Sequence, residues 1–277
     1  MKIIHIKKEN EYVLLKYVRK SPAEFFFFIL DYQKFPEYTQ IHRALNEQNE
    51  IEGLALVYIE RILQLRGSAQ SAIELLKVIP SELLEIQAPL TLLPLVKANF
   101  PGKMKQISIL RLKSTKQTFT PCKNERIINN IIMLSPSDSD HCVKISSIMR
   151  QSDPDFWGQA IPEDISMDPA KIWIGIKQND EIVAIAGFWA ESWIGCIAIV
   201  ATLPKFQNNG YATALVSIAL ETIFQKAPES IIHVRADNAP ALRTYQKVGF
   251  KPFLEYVLID RKSKRLNSSQ RIRTSMP

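Results

Sequence analysis

The chain has 277 residues, 46% apolar and 23% charged, an ordinary globular composition that excludes disordered, collagen-like and fibrous classes. No apolar run exceeds the six residues 25–30, against the ~20 of a membrane-spanning helix, and the first eight residues hold no apolar core of a signal peptide. The net charge of +7 is local: six of the 35 basic side chains (Arg261, Lys262, Lys264, Arg265, Arg271, Arg273) lie in residues 261–277, leaving 29 against 28 acidic ones. That stretch is expected to be a disordered basic tail. Nothing in the body reads as a nucleic-acid motif. Cys122, Cys142 and Cys196 have no short metal-ligand spacing, so free thiols in a cytoplasmic protein are expected, with no metal.

In chain order, the apolar run 25–30 reads as a packing helix or strand. An apolar strand follows at 54–62, then a helix at 69–79, a strand at 82–87, a helix at 90–100 and a strand at 106–112. The polar stretch 113–126 is the best linker candidate. Beyond it come a strand at 127–134 and a helix from the cap signal Ser135-Pro136 to about Met149. Strands at 171–177 and 181–189 flank the turn residues Gln178-Asn179-Asp180. The strand at 194–202 is almost wholly apolar and should be buried on both faces. A helix at 211–226, a strand at 230–236, a helix capped by Asn238 and stopped by Gly249, and a strand at 251–260 complete the chain. This alternation makes an α/β protein with a mixed sheet and helices on its faces.

Two segments carry chemistry. Gln207-Asn208-Asn209-Gly210-Tyr211-Ala212 joins an apolar strand to a helix. A glycine there permits a tight turn and close approach of another molecule, and the free N–H groups of the helix start suit an anion such as pyrophosphate. Twenty-eight residues on, Asn238 opens the pattern N-x-x-A-x-x-x-Y-x-x-x-G-F, with Tyr245, Gly249 and Phe250. Joined in this order, the two segments resemble the GNAT superfamily of N-acyltransferases over about residues 127–260.

The resemblance implies a GNAT-like fold and an acetyl-CoA-dependent N-acetyltransferase acting on a primary amine. It implies that Gln207, Asn208, Asn209, Gly210, Tyr211, Ala212 and Thr213 hold the pyrophosphate. Val200, Ala201 and Thr202 would offer backbone groups to the pantetheine and thioester. Asn238 would touch the pantetheine arm, and Tyr245 would protonate the leaving thiolate. Several relatives carry a glutamate base five residues before the asparagine. Here that position is His233, whose imidazole titrates near pH ~6.5 unaided. Each residue also has a structural reading: a strand-surface histidine, a packed tyrosine, a helix cap. Phe188, Trp189, Glu191 and Trp193, with the acids Asp153, Asp155, Glu163, Asp164 and Asp168, would form a rim attractive to a cationic amine. The structural reading is a solvated loop over a Trp-rich edge.

Gln64-Leu65-Arg66-Gly67-Ser68-Ala69 repeats Q-x-x-G-x-A 143 residues earlier, between an apolar strand and a helix. The following element order also repeats. Aligning Pro89 with Pro240 puts Pro94 at the tyrosine position, with no Gly-Phe after it. A tandem of two GNAT-like domains is expected: 1–120 degenerate, 127–260 catalytic. An unrelated N-terminal α/β domain is the alternative. For the function, a CoA-binding module without turnover and a transferase of longer acyl groups are the alternatives.

Overall fold

The computed structural model describes residues 1–261. It divides into two compact units, Met1–Leu110 with the segment from Leu254, and Arg111–Phe253. The first division therefore falls inside a strand and not in the polar stretch 113–126. The closing strand, read as wholly part of the second domain, divides at 253/254.

The first unit contains β1 (Lys2–His5), α1 (Glu11–Val18), α2 (Phe26–Lys34), β2 (Thr39–Leu45), β3 (Ile51–Tyr58), β4 (Ile62–Gly67), α3 (Ala69–Leu76), β5 (Glu85–Pro89), α4 (Leu93–Asn99) and the start of β6 (Lys105–Thr115). The sheet runs β1-β2-β3-β4-β5, with residues 256–260 antiparallel to β5. Strands β4 and β5 are parallel, over Ile62–Gln64 and Glu85–Gln87. Side chains alternate between faces along each strand. Ala44, Ala55, Leu63, Leu65 and Ile86 meet Ala72 and Leu75 of α3 in one apolar core. The opposite face carries buried Arg43, Gln64, Arg66, Glu85 and Gln87.

The apolar run read as one strand at 54–62 is a hairpin. Ile59 and Glu60 turn it with φ of 47° and 58°. No Gly, Asn or Asp marks that turn, and β-branched Ile59 is a poor residue for positive φ, so sequence gave no signal. Arg261, the first residue of the expected tail, is built into this unit. Its N–H donates to the Leu84 carbonyl, its Nη1 donates to the carbonyls of Ser81 (2.9 Å) and Leu83 (2.8 Å), and its guanidinium lies 5.1 Å over Phe100. The remainder of the tail, residues 262–277, lies outside the described residues.

The second unit repeats the same order of principal elements. It has α5 (Glu125–Ile128), β7 (Ile131–Leu134), α6 (Ser139–Ser152), α7 (Pro154–Trp157), α8 (Pro162–Ser166), β8 (Ile172–Gln178), β9 (Glu181–Ala190), β10 (Gly195–Thr202), α9 (Tyr211–Lys226), β11 (Glu229–Arg235), α10 (Ala239–Lys247) and the start of β12 (Lys251–Asp260). Residues 111–115 of β6 belong here, beside β11, and the order continues β11-β10-β9-β8-β7. Helix α9 packs on β9, β10 and β11, burying Leu215, Ala219 and Ile223.

Two expectations shift. The strand read at 127–134 begins at Ile131, because residues 125–128 form a helical turn. The helix read from Ser135 begins at Ser139, because Asp138 is the cap, its Oδ1 accepting from the N–H groups of Asp140 (2.9 Å) and His141 (3.2 Å). The presumed linker is also pinned down. Thr120 N–H donates to the Val248 carbonyl (3.2 Å) and Cys122 N–H to the buried Ser217 Oγ (2.8 Å). Gly249, with φ of 96°, lies so close to the Thr118 carbonyl that a Cβ there would collide with it. Among the described residues, no helix is long and apolar enough to cross a membrane.

Candidate active site

The parallel strands β10 and β11 pair only over Gly195–Ile197 and Ser230–Ile232. Beyond Ile197, β10 continues with β9 alone, Ile199–Thr202 opposite Gly187–Ala184, with a register shift between Ile197 and Ile199. Past this bulge the β11 side of residues 199–202 has no ladder partner among the described residues, so the two strands fork. Val200, Ala201 and Thr202, expected to face a thioester, line one arm of that fork. Val200 and Thr202 are half-buried and Ala201 is buried.

The arm ends in the loop before α9. Gln207 Nε2 reaches back to the Thr202 carbonyl (3.4 Å), and Asn209 Nδ2 donates to the carbonyls of Phe206 (3.1 Å) and Gln207 (3.2 Å). Asn208 (φ 64°) and Gly210 (φ 81°) are left-handed. Gly210 caps α9 without a side-chain hydrogen bond. The N–H groups of Tyr211, Ala212 and Thr213 are thus the uncapped positive end of a 16-residue helix. Among the described residues, the only atom within 4 Å of a Cβ position on Gly210 is Ile127 Cδ1, at 3.5 Å. The loop is open where an anion would sit.

The other arm, β11, leads to α10. Asn238 is its N-cap, Oδ1 accepting from Ala241 N–H at 3.2 Å. Tyr245 is buried, its ring edge-on to Phe250 at 6.2 Å. Burial pushes its phenol pKa up, so the hydroxyl keeps its proton at any working pH. Among the described residues, none hydrogen-bonds that hydroxyl.

His233 follows the last paired residue of β11, at the fork. It is 4% exposed, and its Nε2 receives a 2.6 Å hydrogen bond from Nε of Arg111, which is fully buried. The nitrogen that would take a proton from an amine is therefore engaged. Arg111 lies in β6, 122 residues away, and no sequence signal joined the two.

The aromatic cluster behaves differently from the expected rim. Trp189 is buried and donates Nε1–H to Asp168 Oδ2 at 2.9 Å, while Lys171 Nζ lies 4.4 Å from its ring centroid and 5.7 Å from that of Trp173. The cation over these rings is the chain's own lysine. Asp153 caps α7 and pairs with Arg235 (3.3 Å), and Asp164 accepts from Ile161 N–H (3.1 Å). Phe188 is buried, pointing to the side opposite Trp189. Glu163 lies in α8, Asp155 in α7, and Glu191 and Trp193 in the turn between β9 and β10.

In the first unit the matching motif is no loop. Gln64 lies within β4 and is buried, and Gly67 ends that strand with φ of 119°. A Cβ on Gly67 would strike the Glu52 carbonyl and, at 2.6 Å, Gly53 Cα and Ser71 Oγ. That glycine serves packing, and Ser68 caps α3 by accepting from Ser71 N–H. The motif match at 64–69 therefore does not carry over as a phosphate site. No group of three metal-ligating side chains is assembled among the described residues.

Residues 142–250 match the family model described as Acetyltransferase (GNAT) family. Mycothiol acetyltransferase of Streptomyces griseus is 37% identical over 105 residues, covering 34% of this chain and 33% of that protein, so the chain spans about a third of this relative's length. A solved structure of a Drosophila protein is similar over 91% of this chain and 90% of its own, at 13% identity and TM-score 0.62. A tandem GNAT protein from the clavulanic acid biosynthesis pathway is similar over 95% and 99%, at 8% identity and TM-score 0.56. The chain carries a GNAT acetyltransferase domain at 142–250, in a mixed α/β fold shared with GNAT proteins that include tandem ones.

Proposed function

We propose that this chain, with its GNAT acetyltransferase domain at residues 142–250, moves an acetyl group from acetyl-CoA to a primary amine. The observation that carries the reading is the fork between β10 and β11, which opens beside unpaired backbone and leads to the uncapped start of α9. Such a slot suits an extended pantetheine arm hydrogen-bonding along 199–202, with the pyrophosphate over Gly210 and the N–H groups of Tyr211, Ala212 and Thr213. Gln207, Asn208 and Asn209 shape that loop, and Asn238 borders the slot from the β11 side.

The reaction needs alignment, oxyanion stabilisation and a partner for the departing sulfur. Holding amine and thioester together supplies several kcal/mol of the barrier. Backbone N–H groups of the unladdered stretch 199–202 serve the developing oxyanion. Tyr245 serves the thiolate. A phenol with a raised pKa is a weaker acid than the thiol it faces, so Tyr245 stabilises the sulfur chiefly by O–H···S hydrogen bonding. No step calls for a metal. The three cysteines are free thiols, consistent with a reducing, cytoplasmic setting.

Release of CoA thiol from acetyl-CoA by the purified chain, with a panel of primary amines, tests the reading. Amine-dependent release supports it. Acetyl-CoA binding without release under any amine would favour a CoA-binding module.

A further inference from the structure

Resting on the acetyltransferase reading above, we propose that Arg111 is a positioning residue for the reaction: it fixes His233 as a neutral imidazole with its proton on Nδ1, and the site works without a histidine base. A guanidinium has only donors, so His233 Nε2, 2.6 Å from Arg111 Nε, is the acceptor and its lone pair is used. A neutral imidazole carries one proton, which then lies on Nδ1. An imidazolium would turn N–H against N–H. Neither nitrogen therefore has a lone pair for an ammonium proton.

The surroundings hold this state. Both side chains are shielded from water. Cys196, which shares the His233 face of the sheet, lies within the fields of Arg111 and of Lys171. Burial nevertheless pushes its thiol to about 12, so it supplies no anion to favour an imidazolium. The next residue on that face of β11, Arg235, is paired with Asp153 and Asp237, each at 3.3 Å. The fully buried Arg111 guanidinium, donating to Nε2, thus opposes a further positive charge at His233.

The consequence is chemical. The acceptor enters as the free amine, its nitrogen bonds to the thioester carbon, and the C–S bond breaks. The proton shed by nitrogen passes to solvent water. The sulfur leaves as thiolate, hydrogen-bonded by Tyr245. Enzyme rate should therefore follow the ionisation of the acceptor.

The test is the imidazole nitrogen spectrum of the 15N-labelled full chain, with His233 assigned by comparison with His233→Gln. The expected result is a bare Nε2 and a protonated Nδ1, unchanged from pH ~5.5 to ~8.5, with titration near pH ~6.5 appearing in Arg111→Met. Should that variant not fold, the wild-type spectrum alone decides. A wild-type His233 that titrates in this range, or carries its proton on Nε2, overturns the proposal. Where turnover is found, kcat/KM profiles for two amines of different pKa give a second reading: the acidic limb moves with the amine, and a limb fixed near pH ~6–7 for both overturns the proposal. Absence of any amine-dependent CoA release would instead defeat the acetyltransferase reading, and the spectrum would still judge the Arg111–His233 pair.

Discussion

Gly67 and Gly210 hold the same place in the repeated Q-x-x-G-x-A pattern, and their surroundings differ completely. Among the described residues, Gly210 meets Ile127 Cδ1 alone, at 3.5 Å, whereas Gly67 is enclosed by Glu52, Gly53 and Ser71. One sequence pattern thus serves ligand access in the second unit and close packing in the first.

Thermal and urea melts should separate the two. Gly210→Val meets a left-handed backbone but no crowding, and should cost about 1–2 kcal/mol. Gly67→Val adds collision with backbone to the same strain and should cost about 3 kcal/mol or more. Equal losses would mean that the two turns do not differ in this way.

Tyr245→Phe keeps the ring against Phe250 and removes the hydroxyl. If the hydroxyl serves the departing thiolate, kcat falls roughly 10–10³-fold while acetyl-CoA affinity stays near wild type. An unchanged kcat would make Tyr245 a packing residue.

Glu85 is buried beside Gln87, and burial, with Asp260 opposite on the neighbouring strand, raises its pKa to about 8. A carboxyl raised on folding is stabilising in its neutral form. Its contribution is complete below the ordinary carboxylate range near ~4.5 and is lost as pH climbs towards 8, by up to ~1.4 kcal/mol per pH unit. Glu85→Gln removes this slope. Urea midpoints at pH ~5.5, ~7 and ~8.5 should show the variant gaining on wild type as pH rises; parallel curves would contradict the assignment.

Gly249→Ala should destabilise the second unit by about 2 kcal/mol or more, since the new Cβ enters the space of the Thr118 carbonyl at φ 96°. The loss should reach 116–122 first, read as faster amide exchange at Thr120 N–H, which bonds Val248. Unchanged exchange there would show that the segment is held by other contacts.

The second half was largely legible because its signals are local. Helix α9 and strand β12 keep the expected bounds, the loop from Gln207 to Gly210 lies where the motif put it, and Asn238 caps α10. What escaped depends on contacts distant in sequence or on backbone that sequence does not mark. The bulge after Ile197 creates the fork, yet residues 194–202 read as one apolar strand. The Arg111–His233 bond spans 122 residues. For the aromatic cluster a cation-attracting rim and a Trp-rich edge both stayed open, because nothing local revealed that Lys171 folds over Trp189. Strands β1 and β2 also went unread, being short or broken by His42 and Arg43.

The proposed reaction needs a single acetyl-CoA seat in the second unit, built on the fork and the Gly210 loop. Calorimetric titration of acetyl-CoA into the full chain tests it most directly. One site per chain is expected, lost or weakened at least about tenfold in folded Gly210→Val, because added methyl groups displace phosphate from the uncapped N–H groups. Two sites per chain, or affinity unchanged in that variant, would contradict it.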